Sequence, residues 1–567
     1  MAELVLPRPV SQPTAGPLDG KFWDMIEADF RRTVVRHPML ATFIGIHEYD
    51  DRLDDGTRDA VEQDIEEARQ LQAGLAAIDP AGLSESVKFE RELALHNVTR
   101  ELFNAEVHRV WERRSTAMDG VGDGLFSIFA RDFAPLGERL DSITARLEGV
   151  PAYLEQHKTR ATAPQVRLWQ ELEIDSGEQM PFLFDEIKAA GKGVLDDRAQ
   201  SRLDKAVATA SAATAAYIET IKARMGSAIE AWALGSKDYD QLVGLRAFDG
   251  LDASQILEIG YEQLALNKEA RVEAARKIDA SVPESVVVDR VKSNQPANFD
   301  AALAAYKDAM LRARAHIIEH DIVTMPPGEQ ISVIPTPEYL RQVIPFAAYF
   351  EPPKFDKHPA GIYIVTPSVG DDPNAMREHN YASISNTSVH EAYPGHHLQL
   401  SAAIQHPSLV RLLVDAPEFV EGWGMYSEQM MREQGFDNGP EFMVAMRTDA
   451  IWRACRIILD VRMHRGELTV DEATAFLIEH TAFEHANAQA EVFRYTYTPT
   501  YQLSYLLGKV LLLQLRADEQ KRLGDKFSIK NFHDTLMRNG SLPISFHRRL
   551  LAAEAAAGPG GASGATH

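Results

Sequence analysis

The chain has one cysteine, Cys455, in 567 residues. It cannot form an intrachain disulfide, so its stability must come from buried apolar surface and polar pairing. No apolar run approaches the roughly 20 residues that a membrane-spanning helix needs. Basic residues are scarce beside acidic ones, 59 against 83, and the net charge of −24 opposes binding to nucleic-acid phosphates or anionic membrane surfaces. A G-x-S-x-G nucleophile elbow is missing, and Cys455 lies in the apolar run 451–461 as a buried inert thiol, so serine and cysteine nucleophiles lack support. Gly120-Val121-Gly122-Asp123-Gly124 lacks the lysine spacing of a phosphate loop and reads as a turn. His47-Glu48 has no second histidine at helix spacing and reads as a surface loop. Residues 1–20 do not show the basic-then-apolar layout of a signal peptide, which predicts a cytoplasmic protein with a loose, proline-bearing N-terminal extension.

What is present is an ordinary globular composition, 45% hydrophobic and 25% charged, on a chain long enough for a large core. The dominant period is helical. The segment 201–232 is rich in alanine and free of proline, and Asp252-Ala253-Ser254-Gln255 has the form of a helix start. These features predict an all-α, or α-dominated, two-lobed architecture. Prolines between 335 and 367 punctuate two short β-like runs, Ala347–Phe350 and Gly361–Val365, which are expected to form small strands beside a cleft where an extended peptide could pair. The cluster Met325-Pro326-Pro327-Gly328 places a lobe boundary between 21–325 and 326–554, and the Ala/Gly-rich tail 555–567 is expected to be disordered.

The densest chemistry lies in His390-Glu391-Ala392-Tyr393-Pro394-Gly395-His396-His397. Zinc is held by neutral imidazoles and carboxylates, with one position open in catalytic sites. A His-Glu-x-x-His helix meets this by placing two histidines one turn apart, with the glutamate free as general base. Here His396 comes six positions after His390, which on a regular helix would turn it away. Pro394 cannot donate to the carbonyl of His390 and, with Gly395, should bulge or kink the helix and bring His396 into register. His397, seven positions on, is the second choice. A competing reading treats Ser388-Val389-His390-Glu391 as a capping box, with Glu391 capping a helix start. A third ligand would favour the metal, and Glu421, 25 positions after His396, could return to the histidines in an antiparallel helix hairpin.

These residues resemble a bacterial family named domain of unknown function 885. Its pattern is His-Glu-x-x-Pro-Gly-His, then Glu-Gly-Trp, then Arg-Tyr leading to Pro-Gly-Gln-Ala-x-x-Tyr-x-x-Gly. The matching positions are His390, Glu391, Pro394, Gly395 and His396; Glu421, Gly422 and Trp423; and Arg494, Tyr495, Pro499, Tyr505 and Gly508. The resemblance is strongest over 346–509 and extends upstream to Arg131-Asp132-Phe133-Ala134-Pro135. One departure is Thr500-Tyr501 in place of Gly-Gln, which would pass any polar role of that glutamine to a neighbour such as Gln502. The resemblance implies a zinc-dependent hydrolase of the metallopeptidase type on a mostly helical fold.

On this reading His390, His396 and Glu421 hold Zn2+, and Glu391 is the general base. Tyr505, then Arg494, would steady the oxyanion of a peptide or other small amide substrate. Asp449, Arg453, Arg456, Asp460 and His464 share a helix stripe and could support the metal ligands from behind, as could Glu428. The alternatives are a zinc hydrolase of non-peptide amides or esters, and a non-catalytic helical metal-binding or scaffold protein.

Overall fold

The computed structural model describes residues 6–9, 15–337, 341, 344, 347–367 and 375–557. The chain is mostly helical with one small sheet. Its apolar interior forms two main clusters. The smaller is built from 117–221, where the helices Ala117–Phe129, Leu136–Arg160, Arg167–Gly191 and Asp197–Arg224 bury Leu147, Phe184 and Ile187 among others. The larger takes apolar residues from positions 6–102 and from 239 onward. It therefore runs through the expected boundary at 325–328, with Tyr306 and Ile317 before it sharing one core with Val333 and Tyr363 after it. Of the N-terminal extension, Leu6 is buried and Arg8 pairs with Asp24 and Glu27, while 1–5 and 10–14 lie outside the described residues. Of the tail, 555–557 continue the last helix and 558–567 lie outside the described residues.

Local sequence explains several helix limits. Asp252 accepts hydrogen bonds from Ser254 N and Gln255 N while the Gln255 side chain returns to Asp252 N, a reciprocal cap that starts Ala253–Ile278. The alanine-rich helix runs Asp197–Arg224 and ends before the expected limit at 232, where Ile229 instead bridges to the segment around Val166, Ile229 N donating to Gln165 O and Arg167 N donating to Ile229 O. The glycine-rich stretch 120–124 is helical, within Ala117–Phe129, and not a turn. Tertiary packing overrides propensity there: Gly120 lies against the Tyr153 hydroxyl and Gly124 against Met39, where larger residues would not fit. His47 is not in a loose surface loop either, since its ring joins Asp50 at 2.8 Å and Asp356 at 2.7 Å and stacks on Phe133.

The sheet has three strands, β1 (Ile331–Pro335), β2 (Ala347–Phe350) and β3 (Gly361–Val365), in the order β1-β3-β2. β3 is central, parallel to β1 and antiparallel to β2, with Tyr349 opposite Tyr363. All five β3 residues are buried, which suits its unbroken apolar run. β3 is thus paired along both edges and cannot offer one to a peptide, contrary to the expectation for Gly361–Val365. β2 is the outer strand on the cleft side.

Candidate metal centre

Helix Tyr381–Glu391 carries His390 in its last turn. It is capped at its start by Asn380, whose side chain accepts from Ser383 N, so Ser388 lies inside the helix and the capping-box reading of Ser388 to Glu391 fails. The helix stops at Glu391, and a second helix, His396–Ala403, begins five residues later. This is a full break where a bulge or kink was expected. Pro394 has no N–H to continue the ladder, Gly395 N turns back to Val389 O at 3.0 Å, and Trp423 Nε1 donates to Pro394 O at 2.7 Å, tying down the connection.

The third segment is helix Pro417–Glu433, opened by proline at its first position. Its Glu-Gly-Trp-Gly sequence divides the work residue by residue. Glu421 faces both histidines. Gly422 lies against Gly508, and a Cβ on it would meet the Gly508 carbonyl carbon at 2.6 Å, so the two helices touch backbone to backbone. Trp423 holds the Pro394 carbonyl, and Gly424 makes room for His390, whose ring atoms lie 2.7–3.0 Å from where a Cβ would stand.

The structure brings His390, His396 and Glu421 together with one ligand atom of each within 4.8 Å of the others. Glu421 Oε2 is 3.6 Å from His390 Nε2 and 3.3 Å from His396 Nε2, and the rings are 4.7 Å apart and nearly perpendicular. Tetrahedral ligands about 2.0–2.1 Å from zinc lie about 3.3–3.4 Å from one another, so the spacing suits a shared cation better than direct hydrogen bonds of about 2.7–3.2 Å. His390 Nδ1 meets Glu428 Oε1 at 2.7 Å, a carboxylate that can only accept. As a metal ligand the ring would be neutral, donating from Nδ1 and turning its Nε2 lone pair toward the space beside Glu421; without a cation, the two carboxylates favour the protonated ring. Burial opposes charge on His390, yet the carboxylates of Glu421 and Glu428 outweigh it and push its pKa up to about 10. Glu421 is also opposed by burial, and the two imidazoles hold it well below the usual carboxylate range.

His397 is committed elsewhere. Its Nε2 joins Glu329 at 2.8 Å and its Nδ1 joins the Tyr349 hydroxyl at 2.8 Å, so it links the helix to β2 and to the segment before β1. His396 Nδ1 has no hydrogen-bond partner among the described residues.

A cleft of about 420 Å³ opens beside the cluster, lined by His390, Glu391, His396, Glu421, Arg494 and Tyr505, and on another side by Ala347, Ala348 and Tyr349 of β2. Glu391 is half-buried on this wall. Burial and the Glu421 charge raise the Tyr505 hydroxyl above its ordinary range, leaving it a proton donor at neutral pH. Arg494 bonds Glu491 at 3.1 Å.

The expected stripe splits. Asp449, Arg453 and Arg456 reach the cleft. Asp460 and His464 do not: Asp460 accepts from Tyr239 Oη at 2.6 Å and Thr500 N at 2.9 Å, and His464 Nε2 faces the Tyr495 carbonyl at 2.9 Å. Thr500, at the family's glycine position, has φ of 67°, the left-handed backbone that glycine adopts freely. Its bond to Asp460 helps hold it there. The polar role in this turn goes to Tyr501, which donates to Glu421 Oε1 at 3.0 Å, and not to Gln502, which donates to Thr498 at 2.9 Å. Sequence reasoning also missed Asn386. It lies one turn before His390 and donates to Glu428 at 3.0 Å and Asp449 at 2.9 Å, and the four-residue step from His390 was the available signal.

The family model described as "Bacterial protein of unknown function (DUF885)" matches residues 38–551. A solved protein from Shewanella oneidensis, described as a "putative lipoprotein of unknown function", has the same fold at a TM-score of 0.76 and 22% identity, with 94% of this chain and 99% of that chain covered. A "putative lipoprotein" from Colwellia psychrerythraea is similar at a TM-score of 0.82 and 19% identity, again over 94% and 99%. No curated protein matches the chain. Among the described residues no helix is long and apolar enough to cross a membrane.

Proposed function

The chain belongs to the bacterial DUF885 family, and from that premise we propose a zinc-dependent hydrolase of the metallopeptidase type that acts on short peptides. One observation carries the reading: His390 Nε2, His396 Nε2 and Glu421 Oε2 converge at metal-ligand spacing on a cleft that also presents Glu391. Zinc, when bound there, supplies a Lewis acid that polarises a carbonyl and lowers the pKa of water. Glu391 takes the proton of the attacking water and hands it to the leaving nitrogen as the C–N bond breaks, while the water oxygen stays on the new carboxylate. Tyr505 donates to the developing oxyanion, with Arg494 the next candidate. The outer strand β2 offers its free edge to an extended substrate.

A two-lobed, metallopeptidase-like arrangement belongs to the same proposal. Val288 and Tyr306 from the first half and the His390 and Glu421 segments from the second line one cleft, which favours flexible chains over folded proteins. A cytoplasmic location is part of it too, set against the description of the solved relatives as lipoproteins, and cell fractionation decides between the two. The protein purified without chelator is expected to carry about one zinc per chain, measured by elemental analysis. Short peptides are expected to be cleaved, with chelator abolishing turnover and zinc restoring it. An active preparation without a transition metal would sink the metal reading, and ester cleavage with no peptide turnover would replace the peptidase reading.

A further inference from the structure

One part of the cleft wall gathers three arginines. Arg453, Arg456 and Arg494 all line it, against the carboxylates of Glu491 and Asp449. Glu491 serves two of them, at 2.9 Å from Arg456 Nη2 and 3.1 Å from Arg494 Nη2. Arg456 is further held by the Tyr495 hydroxyl at 3.2 Å and lies over the Tyr505 ring at 4.7 Å.

Arg453 differs from both. Its Nη1 is 3.5 Å from Asp449 Oδ1, an ion pair too long for a good hydrogen bond, and Asn386 holds the other Asp449 oxygen, Oδ2, at 2.9 Å. Its Nε and Nη1 are buried and have no hydrogen-bond partner among the described residues. The guanidinium is nevertheless placed, stacked over Trp452 at 4.0 Å while Arg456 covers the same indole at 4.1 Å. Stacking fixes the plane of a guanidinium and leaves its in-plane N–H groups free, in the fork geometry that matches a carboxylate. Buried donors left unpaired are costly, and an incoming anion would satisfy them.

Resting on the hydrolase reading, we propose that Arg453, backed by Arg456 and Arg494, binds a carboxylate of the substrate and selects peptides that present one near the scissile bond. Two sources share this chemistry, the C-terminal α-carboxylate and an acidic side chain. The first makes the enzyme a carboxy-terminal exopeptidase and the second an acidic-residue-selective peptidase. Hydrolysis is the same in either case: water adds across the C–N bond, its oxygen staying on the acyl carbon and its proton going to the leaving amine.

The test uses the full-length, zinc-loaded chain and three N-acetylated peptides of otherwise equal sequence: a free C-terminal acid, its C-terminal amide, and an amide carrying glutamate beside the scissile bond. One of the two carboxylate-bearing peptides is expected to exceed the plain amide about 10–100-fold in kcat/KM, the range lost with a charge-assisted hydrogen bond. Which one wins identifies the source. Arg453→Gln is expected to bring that ratio to within about 3-fold of unity, with zinc content and melting temperature checked in parallel. Equal turnover of all three by the wild-type chain overturns the proposal and leaves the peptidase reading standing. If no peptide is cleaved, the peptidase reading falls, and calorimetric binding of the same three peptides still decides the carboxylate site, since equal affinities overturn it.

Discussion

Two glutamates, Glu173 and Glu428, are almost equally withdrawn from solvent, 0% and 2% exposed, yet their pKa values shift in opposite directions. Glu173 sits in the core built from 117–221. It accepts from Ser115 Oγ at 2.9 Å and Met118 N at 3.0 Å, and burial pushes its carboxyl up to about 8. Glu428 suffers the same penalty but accepts from His390 Nδ1, and that bond with the imidazole charge brings it below its ordinary value. Burial alone therefore does not mark a reaction site. A buried carboxylate among neutral donors keeps its proton, whereas one facing an imidazole stays ionised and can orient a metal ligand.

Exchanging carboxylates for amides sharpens that contrast, beginning where the effect is greatest. Glu391→Gln is expected to retain zinc but lose about 10²–10⁴-fold in turnover, while Glu173→Gln keeps its turnover. Unchanged rates in Glu391→Gln at full zinc occupancy would remove its role as base. The adjacent histidines come next. His396→Ala is expected to lose zinc affinity far more than His397→Ala, whose main effect is on stability, about 1–3 kcal/mol for the groups left unpaired at Glu329 and Tyr349. Zinc titration and thermal melting of both variants check this, and the reverse order would make His397 the ligand.

Glu428→Gln is expected to weaken zinc binding by about 10–100-fold, as loss of a carboxylate behind a metal-bound imidazole does. Competition with a chelator of known affinity measures it, and an unaltered affinity would reduce Glu428 to a packing residue. The smallest effect belongs to Glu173. Its folded pKa of about 8 stands above the ordinary 4.5, so its contribution is fully present below pH 4.5 and is lost as pH rises toward 8, where the unfolded chain has already released the proton. Glu173→Gln cannot ionise. Its melting temperature relative to wild type is expected to climb by a few degrees, about 1–3 °C, between pH 5 and 8.5, and a flat difference across that range would refute the assignment.

Much of this was legible from short-range pattern. The helical class, the reciprocal cap at Asp252 and the strands at Ala347–Phe350 and Gly361–Val365 depend on neighbours a few residues away. The glycines at 120–124 were misread because their helix packs against Tyr153 and Met39, 33 positions from Gly120 and 85 from Gly124. The strand offered to a substrate was misread for a related reason: β3 and β2 look alike as apolar runs, and only the strand order reveals which one is outside.

The sequence by itself marked which side chains a metal could use, because the imidazoles of His390 and His396, the helix-breaking Pro394 between them and the carboxylate of Glu421 state their chemistry without a fold. It also determined that one cysteine and an acidic surface rule out disulfide bracing and favour no nucleic acid. Tertiary structure alone decided that His396 and not His397 turns toward Glu421, that Tyr501 donates to Glu421, and that Arg453 faces a cleft without a hydrogen-bond partner among the described residues. Adjacent helical residues point about 100° apart, so a neighbour's identity is set by the helix that packs on each face, and that helix comes from elsewhere in the chain.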